Sequence, residues 1–310
     1  MIVVAGLTPA WQQILRFERL GLGEVNRAAE THWCASGKVL NVAVAATRLG
    51  GDCRTICPVG GPPREAFDQE CEELDVAVDW IVTREPTRVC TTIIDSAAGR
   101  TTELVENARA LHPNELRAFH EAYRCAAAEA SVAVLTGSLP AETPTSFYRE
   151  LAEHTSGRII IDARGPELLA MLEGPRKPTI VKPNREELGK TVGRTIADDA
   201  HLHAAMRTMN GLGAEWVVVS AGPDAVWAST ERELWKLSPP RVEQVVNPIG
   251  CGDCLAAGIA VALDRGAAVI DAIRYGIAAA VDNLGSLVPA RVDRRKSESY
   301  AGAIPAERIE

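Results

Sequence analysis

The 310-residue sequence has few aromatic residues (5% of the chain), no block of Lys and Arg, and no apolar run near the length of a membrane span. A helix that crosses a bilayer needs roughly 20 mostly apolar residues, so no transmembrane helix is predicted. The net charge of −8 argues against nucleic acid and anionic membranes as partners. A small polar ligand is more consistent with this composition.

The amino terminus also lacks the features of a secretory signal. Residues 1–6, MIVVAG, have no basic region and no long apolar core, so they are predicted to form a first strand and the expected location is the cytoplasm. The eight cysteines are scattered and lie mostly in apolar or mixed surroundings. We therefore expect free, reduced thiols that behave as small apolar residues.

The sequence does contain a regular alternation of strand and helix patterns. With 46% apolar residues it can bury one large α/β core or two modest ones. The βα spacing predicts a three-layer αβα sandwich around a mostly parallel sheet. Alternating segments at about 14–34 and 88–105 predict a small appended β-sheet, interpreted as a lid. We expect one domain over residues 1–310, with the lid segments inserted in it.

Some local predictions bear on the site. Residues 8–12 are expected to form a loop after the first strand, at the edge of the sheet where ligands bind in open α/β folds. Residues 142–152 are expected to be helical, and residues 182–188 to follow a strand. The charged segment after residue 283 is expected to be a surface tail.

The stretch NPIGCGDC at 247–254 is predicted to open a helix that continues to Leu263. The first N–H groups of a helix lack intrahelical partners, so Gly250, Cys251 and Gly252 could cradle an anion. Asp253 beside them is a candidate general base for phosphoryl transfer to a hydroxyl. An ordinary helix cap would also explain this aspartate.

Cys251 and Cys254 form a C-x-x-C pair. A zinc site would need a second pair, and a redox pair usually lies near the first strands of a βαβ unit. Neither context is present, so metal and redox chemistry are disfavoured here.

A second polar loop, ASGKVLNVA at 35–43, leads into a helix that runs to about Leu49. Its glycine, lysine and asparagine suit the binding of hydroxyls or a phosphate. A solvated helix start explains the same residues equally well.

Together these loops resemble the signatures of the ribokinase-like (PfkB) carbohydrate kinase family. SGKVLNVA at 36–43 is similar to G-G-K-G-x-N-x-A, KPNREEL at 182–188 to K-P-N-x-x-E-L, and GCGD at 250–253 to G-A-G-D. TGSLP at 136–140 is similar to S-G-S-L-P. The Asn-Pro pair at 247–248, GEVNR at 23–27 and Thr102-Glu103 resemble the branch that contains 1-phosphofructokinases and tagatose-6-phosphate kinases.

The resemblance implies ATP and Mg²⁺ as cofactors. Asp253 would deprotonate the acceptor hydroxyl, while the amides of Gly250, Cys251 and Gly252 would stabilise the transferred phosphoryl group. Asn184 and Glu187 would hold Mg²⁺ through water. In this family lids often pair, so a homodimer through the lid is expected.

The resemblance also implies how the two ligands would be bound. Residues expected to contact the nucleotide are Lys182, Asn184, Ser220, Gly222 and Asn283. Residues expected to contact the sugar or its phosphate are Gln12, Gly37, Lys38, Asn41, Arg88, Ser138 and Arg27, of which Arg88 and Arg27 would meet an acceptor phosphate.

Several residues depart from the family pattern. Gln12 stands where the family commonly has an acid that contacts sugar hydroxyls. Ser36 and Val39 replace glycines, and Val39 is expected to narrow the pocket because a β-branched residue resists positive φ. Trp11 is expected to stack on a ligand.

Three hypotheses about function follow from these features. The leading hypothesis is an ATP-dependent kinase of a sugar phosphate of the fructose 1-phosphate or tagatose 6-phosphate type. A kinase of a free sugar or nucleoside is the alternative within the enzyme class, and a catalytically weak sensor of sugar phosphate or nucleotide is the alternative outside it. A dinucleotide-binding oxidoreductase and a P-loop kinase are unsupported, since the sequence has neither G-x-G-x-x-G after its first strand nor a Walker A motif.

Overall fold

A computed structural model describes residues 1–309, which contain fourteen strands and ten helices. The strands are β1 Ile2–Ala5, β2 Ala10–Phe17, β3 Glu30–Ser36, β4 Cys53–Val59, β5 Ala77–Val82, β6 Val89–Asp95, β7 Arg100–Val105, β8 Val132–Thr136, β9 Arg158–Asp162, β10 Ile180–Val181, β11 Trp216–Val219, β12 Val226–Ser229, β13 Leu234–Leu237 and β14 Ala306–Arg308. The helices are α1 Lys38–Arg48, α2 Arg64–Glu73, α3 Pro113–Ala127, α4 Phe147–Glu153, α5 Gly165–Glu173, α6 Arg185–Val192, α7 Asp199–Gly211, α8 Cys251–Asp264, α9 Val269–Asn283 and α10 Arg294–Ala303. Glu310, the last residue of the predicted domain, lies outside the described residues.

The main sheet has ten strands in the order β14-β13-β12-β11-β10-β9-β8-β1-β4-β5. The strands from β11 to β5 pair in parallel, and β12 to β14 continue the sheet in antiparallel fashion. The chain leaves β1 toward β4 and later returns to its other side with β8. This confirms the mostly parallel α/β fold and places a topological switch point beside β1, where open α/β sheets bind ligands.

Side-chain alternation along β1 shows how the layers form. Ile2 and Val4 pack into one apolar cluster with α1, α8 and α9, while Val3 and Ala5 pack into another with α3 to α7. Successive residues of a strand point to opposite faces of the sheet, so a fully apolar strand requires helices on both sides. The result is the predicted three-layer arrangement.

Helix α8 lies in the interior of one helical layer, packed against α9. A Cβ added at Gly258 would lie 2.6 Å from the Cα of Gly276, so the two helix backbones touch at paired glycines. This close approach fixes the position of α8, whose amino terminus carries the central sequence motif.

The second sheet has the order β3-β2-β6-β7. Its second half is the predicted hairpin, with β6 and β7 antiparallel. Its first half begins earlier than expected, because Ala10 to Gln12 already pair with β3 and belong to β2 rather than to a loop. We refer to this four-stranded unit as the small sheet.

Residues 182–188 follow strand β10 as predicted, and helix α6 begins within them at Arg185. Two further local predictions were wrong. Helix α4 begins at Phe147 rather than at residue 142, since Pro144 precedes it and Glu142 adopts a left-handed φ of 65°. The C-terminal segment is not a simple surface tail, because α10 packs on α9 and β14 pairs with β13. Within residues 1–309 no helix combines the length and apolar character needed to cross a bilayer.

Candidate active site

A cleft of about 410 Å³ opens at the carboxyl ends of the parallel strands, beneath the small sheet. It collects residues from both sides of the switch point and from the amino terminus of α8. The lining residues are Ala10, Gln12, Ser36, Gly37, Lys38, Asn41, Arg88, Cys90, Glu103, Val105, Asp162, Lys182, Asn184, Glu187, Ser220 and Pro248 to Asp253. Most of the residues predicted from sequence therefore lie in one place.

The floor of the cleft is the first turn of α8. Gly250 caps this helix with a left-handed φ of 84°, and the first α-type bond runs from the Cys254 N–H to the Gly250 carbonyl. The N–H groups of Gly252 and Asp253 precede the intrahelical ladder and suit an anion, whereas the Cys251 N–H donates to the Pro248 carbonyl at 3.4 Å. A Cβ at Gly252 would contact only the Lys182 Nζ, at 3.5 Å, so a cationic group stands directly over this turn.

Asp253 is buried, with 6% of its surface exposed, and forms the end of a hydrogen-bonded chain. The Ser36 hydroxyl donates to Asn41 Oδ1 at 3.0 Å, and Asn41 Nδ2 donates to Asp253 Oδ2 at 2.7 Å. Burial raises the pKa of Asp253 to about 6, with Lys38, Asn41 and Lys182 opposing the rise and Asp162 adding to it. The carboxylate is thus fixed in direction and is ionised at neutral pH.

Asp162 is the principal site residue that the sequence reasoning did not assign. It ends β9, is almost fully buried, and lies between two lysines, with Lys38 Nζ at 2.9 Å and Lys182 Nζ at 3.3 Å. Burial would raise the pKa of Asp162, but the two ammonium groups hold it below its ordinary value. Burial alone would lower the pKa of Lys38, but the carboxylates of Asp162, Glu187 and Asp253 outweigh this effect, so its pKa is raised above the ordinary value.

Asn184 and Glu187 form a reciprocal cap at the start of α6. Asn184 Oδ1 accepts from the Glu187 N–H at 2.8 Å, and Glu187 Oε2 accepts from the Asn184 N–H at 3.0 Å. The other Glu187 oxygen lies 3.6 Å from Lys38 Nζ, and residue 184 also pairs with Ser220 across adjacent strand ends. Within residues 1–309 no three His, Cys, Asp or Glu side chains gather to chelate a metal directly.

The small sheet and the loop after β1 form the opposite wall. Gln12 Nε2 donates to Thr92 Oγ1 at 2.7 Å, which leaves its carbonyl oxygen for a ligand. Arg88 donates to the carbonyls of Thr8, Pro9 and Glu106 at 3.0 to 3.2 Å, so three of its five N–H groups are engaged and two are left. Partial removal from water raises the pKa of Glu103, and the nearby Arg88 charge opposes this rise.

Gly37 shapes the same wall through its backbone. It precedes α1 with a φ of 88°, and a Cβ there would lie 2.7 Å from the Thr8 carbonyl oxygen. Only glycine tolerates both the left-handed φ and the contact.

Four predicted site residues do not line the cleft: Arg27, Ser138, Gly222 and Asn283. The first three lie on exposed loops, whereas Asn283 is fully buried behind the α8 turn. Their assigned contacts with sugar or nucleotide remain predictions.

Two predicted effects on the pocket were wrong. Val39 lies in the first turn of α1, where φ is not positive, and is buried in the core away from the cleft. Trp11 stacks on Trp33 and packs against Phe67, so its ring is occupied inside the protein. By contrast Ser36 does line the cleft and orients Asn41.

The two cysteines of the C-x-x-C pair lie in different surroundings and form no disulfide. Cys254 is buried in the core, and the Cys251 thiol donates to the Ala280 carbonyl at 3.4 Å. Burial raises the pKa of the Cys251 thiol to about 11. All eight cysteines are free, as expected.

Comparisons with known proteins identify the family and the fold of the chain. The model of the family described as pfkB family carbohydrate kinase matches residues 1–285. A possible 1-phosphofructokinase from Thermotoga maritima superposes with a TM-score of 0.91 at 19% identity over 100% of both chains. Phosphofructokinase-2 from Escherichia coli, in complex with fructose-6-phosphate, gives 0.86 at 24% identity, covering 98% of this chain and 99% of that one. Arabidopsis thaliana ribokinase, complexed with ribose and ATP, gives 0.74 at 21% identity, covering 97% and 98%. These structural matches establish a shared fold.

Proposed function

The chain belongs to the pfkB family of carbohydrate kinases, which are ATP-dependent enzymes, and on this premise we propose that it transfers the γ-phosphoryl group of ATP to a hydroxyl of a sugar phosphate. The acceptor would be of the fructose 1-phosphate or tagatose 6-phosphate type. The observation that carries the proposal is the placement of the Asp253 carboxylate, held by Asn41, on the cleft-facing first turn of α8.

Asp253 is the proposed general base. With a pKa of about 6 it is ionised at pH 7 yet still basic enough to take a proton from an attacking hydroxyl. The hydrogen bond from Asn41 occupies one of its oxygens, so the other is left to meet the acceptor. As the hydroxyl proton passes to this carboxylate, the acceptor oxygen attacks the γ-phosphorus and the bond to the β-phosphate oxygen breaks, leaving ADP.

The N–H groups of the α8 turn and Lys182 would stabilise the charge on the transferred group. The turn and the lysine are adjacent, since a Cβ on Gly252 would lie 3.5 Å from Lys182 Nζ. Lys38, half-buried and held by Asp162, also lines the cleft and would orient the acceptor.

ATP would enter along the strand ends that carry Lys182, Asn184 and Ser220. Glu187 supplies a carboxylate and Asn184 an amide oxygen, a donor set that fits Mg²⁺ retained with much of its water. When bound, the ion would neutralise charge on the nucleotide phosphates.

The two remaining N–H groups of Arg88 support a phosphate on the acceptor, because a guanidinium can offer two parallel donors to phosphate oxygens. A second candidate acceptor, a free sugar, is favoured by Glu103, because its carboxylate at the same wall would repel a phosphate and accept hydrogen bonds from sugar hydroxyls. The Escherichia coli neighbour contains fructose-6-phosphate and the Arabidopsis neighbour ribose, so both acceptor classes are compatible with this fold.

We also propose that the small sheet pairs with its copy in a homodimer. Trp33 on β3 and Leu104 and Val105 on β7 are large apolar side chains with 45 to 56% of their surface exposed. Light scattering on the wild type and on a Leu104→Lys variant tests this proposal. A dimer that Leu104→Lys converts to monomer supports the proposal, and a monomeric wild type contradicts it.

The activity is tested by ADP release with ATP and Mg²⁺ against hexose 1-phosphates, hexose 6-phosphates, free sugars and nucleosides. Turnover of one acceptor class that disappears in Asp253→Asn, while nucleotide binding persists, is the expected result. Full activity of Asp253→Asn would remove the base from the proposal. Ligand binding with no turnover of any acceptor would instead favour the sensor alternative.

A further inference from the structure

The loop that precedes α8 ends at the proposed anion hole, yet no strand holds this loop in place. Residues 238–250 have no regular secondary structure. Gly250 must nevertheless keep its left-handed φ for the following N–H groups to face the cleft. The backbone N–H groups of Val246 and Asn247 donate to the Leu284 carbonyl, at 2.8 and 3.4 Å, three residues or more before Gly250.

Two fully buried asparagines complete the attachment. Asn247 Oδ1 accepts from the Ile249 N–H at 3.0 Å, and its Nδ2 donates to the Leu287 carbonyl at 2.8 Å. The first bond folds the loop into a tight turn, and the second ties the turn to the segment after α9. Neither polar group of this side chain faces the cleft.

Asn283, the last residue of α9, holds the loop at Ile249, directly before Gly250. Its Nδ2 donates to the Ile249 carbonyl at 2.9 Å and to Cys251 Sγ at 3.3 Å, and its Oδ1 accepts from the Ala290 N–H at 2.8 Å. One planar amide thus joins the loop before α8 to the segment after α9. Because Asn283 has no surface exposed, it contacts neither nucleotide nor acceptor in this arrangement.

We infer that Asn247 and Asn283 are positioning residues, which fix the α8 turn so that its N–H groups and Asp253 meet the reacting phosphoryl group. Each site requires a donor and an acceptor at once, which an amide provides and a carboxylate does not. A shift of about 1 Å in such a group can cost about 100-fold in rate. This inference rests on the proposed function and reassigns Asn283 from the nucleotide contact that the sequence suggested.

Substitution by aspartate keeps the hydrogen-bond acceptor of each asparagine side chain and removes its donor. In Asn283→Asp the hydrogen bond accepted from the Ala290 N–H is retained, and the bond donated to the Ile249 carbonyl is lost. If the buried charge of the aspartate prevents folding, Asn283→Ala replaces this variant in the test. We expect kcat to fall about 100-fold while KM for ATP changes less than threefold, because the loop moves and the nucleotide contacts at 182–184 and 220 do not. Asn247→Asp should behave in the same way.

Asn210 is a matched control, since it is equally buried and its amide also joins backbone segments, far from the cleft. Its Nδ2 donates to the carbonyls of Ala214 and Ser229, and its Oδ1 accepts from the Ser229 hydroxyl. Asn210→Ala should lower the melting temperature but leave kcat unchanged at 25 °C. If folded Asn283 variants retain wild-type kcat, or if Asn210→Ala loses kcat as severely, the inference is wrong.

Hydrogen exchange gives a test that does not depend on turnover. The amides of residues 249–253 should exchange at least tenfold faster in the Asn283 variants and at the wild-type rate in Asn210→Ala. If the wild type transfers no phosphoryl group but this exchange pattern is found, the proposed function fails and the attachment of the loop stands. Unchanged exchange in the Asn283 variants contradicts the inference even if the wild type is an active kinase.

Discussion

Replacing Asp253 by Asn should abolish turnover and, at neutral pH, make the protein more stable. The carboxylate is buried beside Asp162, and these surroundings favour its protonated form. An asparagine side chain has the same shape, and its oxygen can still accept the hydrogen bond from Asn41. The substitution therefore removes an unfavourable buried charge while keeping the contact that orients the side chain.

The size of the effect follows from the pKa, which rises from 3.8 to about 6 on folding. Each pKa unit is worth about 1.4 kcal/mol, so ionised Asp253 costs about 3 kcal/mol of folding free energy. A raised pKa means that the proton bound by the folded state stabilises it at low pH, and this contribution is lost as the pH rises through about 6. The stability advantage of Asp253→Asn should therefore be full at pH 8 and smaller at pH 5, where it narrows by about 1.4 kcal/mol.

Urea unfolding of both proteins at pH 8 and pH 5 measures this difference directly. Groups that titrate in the same way in both proteins cancel in this comparison. The change with pH in the difference between the two unfolding free energies therefore reports on Asp253. A gap that does not vary with pH would show that the carboxylate is not forced toward protonation by its surroundings. A less stable variant at pH 8 would show that the ionised carboxylate is stabilised in the fold, and the reasoning about this site would fail.

The remaining predictions concern neighbouring groups. The pH profile of kcat/KM should fall about tenfold per unit below pH 6 and be level above it, because the base must be ionised; a level profile down to pH 5 contradicts the assigned base. Asp162→Asn should lose about 3–5 kcal/mol in urea unfolding at pH 8, opposite in sign to Asp253→Asn, because it leaves buried Lys182 uncompensated. Gly252→Ala should fold normally and lose turnover, since its Cβ enters the anion hole, whereas Gly258→Ala should lower the melting temperature through its contact with α9; the reverse pattern would refute the placement of the turn. Arg88→Ala should raise KM at least tenfold for a phosphorylated acceptor and much less for a free sugar; an equal rise for both excludes a phosphate contact.

The order of strands and helices could be predicted from sequence because it depends on local patterns. The four apolar residues of β1 and the alternation in β6 and β7 each carry a periodicity that specifies a strand. The C-terminal segment carried no such signal. Its β14 has three residues and forms only because β13 offers a free edge, which is a tertiary feature.

Residue chemistry identified most of the cleft, since Lys38, Lys182 and Asp253 occur in short polar loops after strands or before helices. It did not identify Asp162. Its two partners, Lys38 and Lys182, belong to other segments of the sequence and meet it only because β9 lies between β8 and β10. A single acid at the end of an apolar strand has no local signature that distinguishes it from a turn residue. Its role is defined by the neighbouring strand ends.

Side-chain direction is the property that the sequence left open, and it decides the roles of Val39 and Asn283. A valine in place of a glycine was expected to fill the pocket, but the helix begins at Lys38 and turns residue 39 into the core. The nucleotide contact expected of Asn283 stays a prediction, and in the structure the amide of this residue bonds to Ile249, Cys251 and Ala290. Both side chains are buried and neither lines the cleft, although each residue is next to or hydrogen-bonded to residues that do. Whether a side chain faces the cleft or the interior therefore depends on where the helix begins and ends, which the residue type alone does not specify.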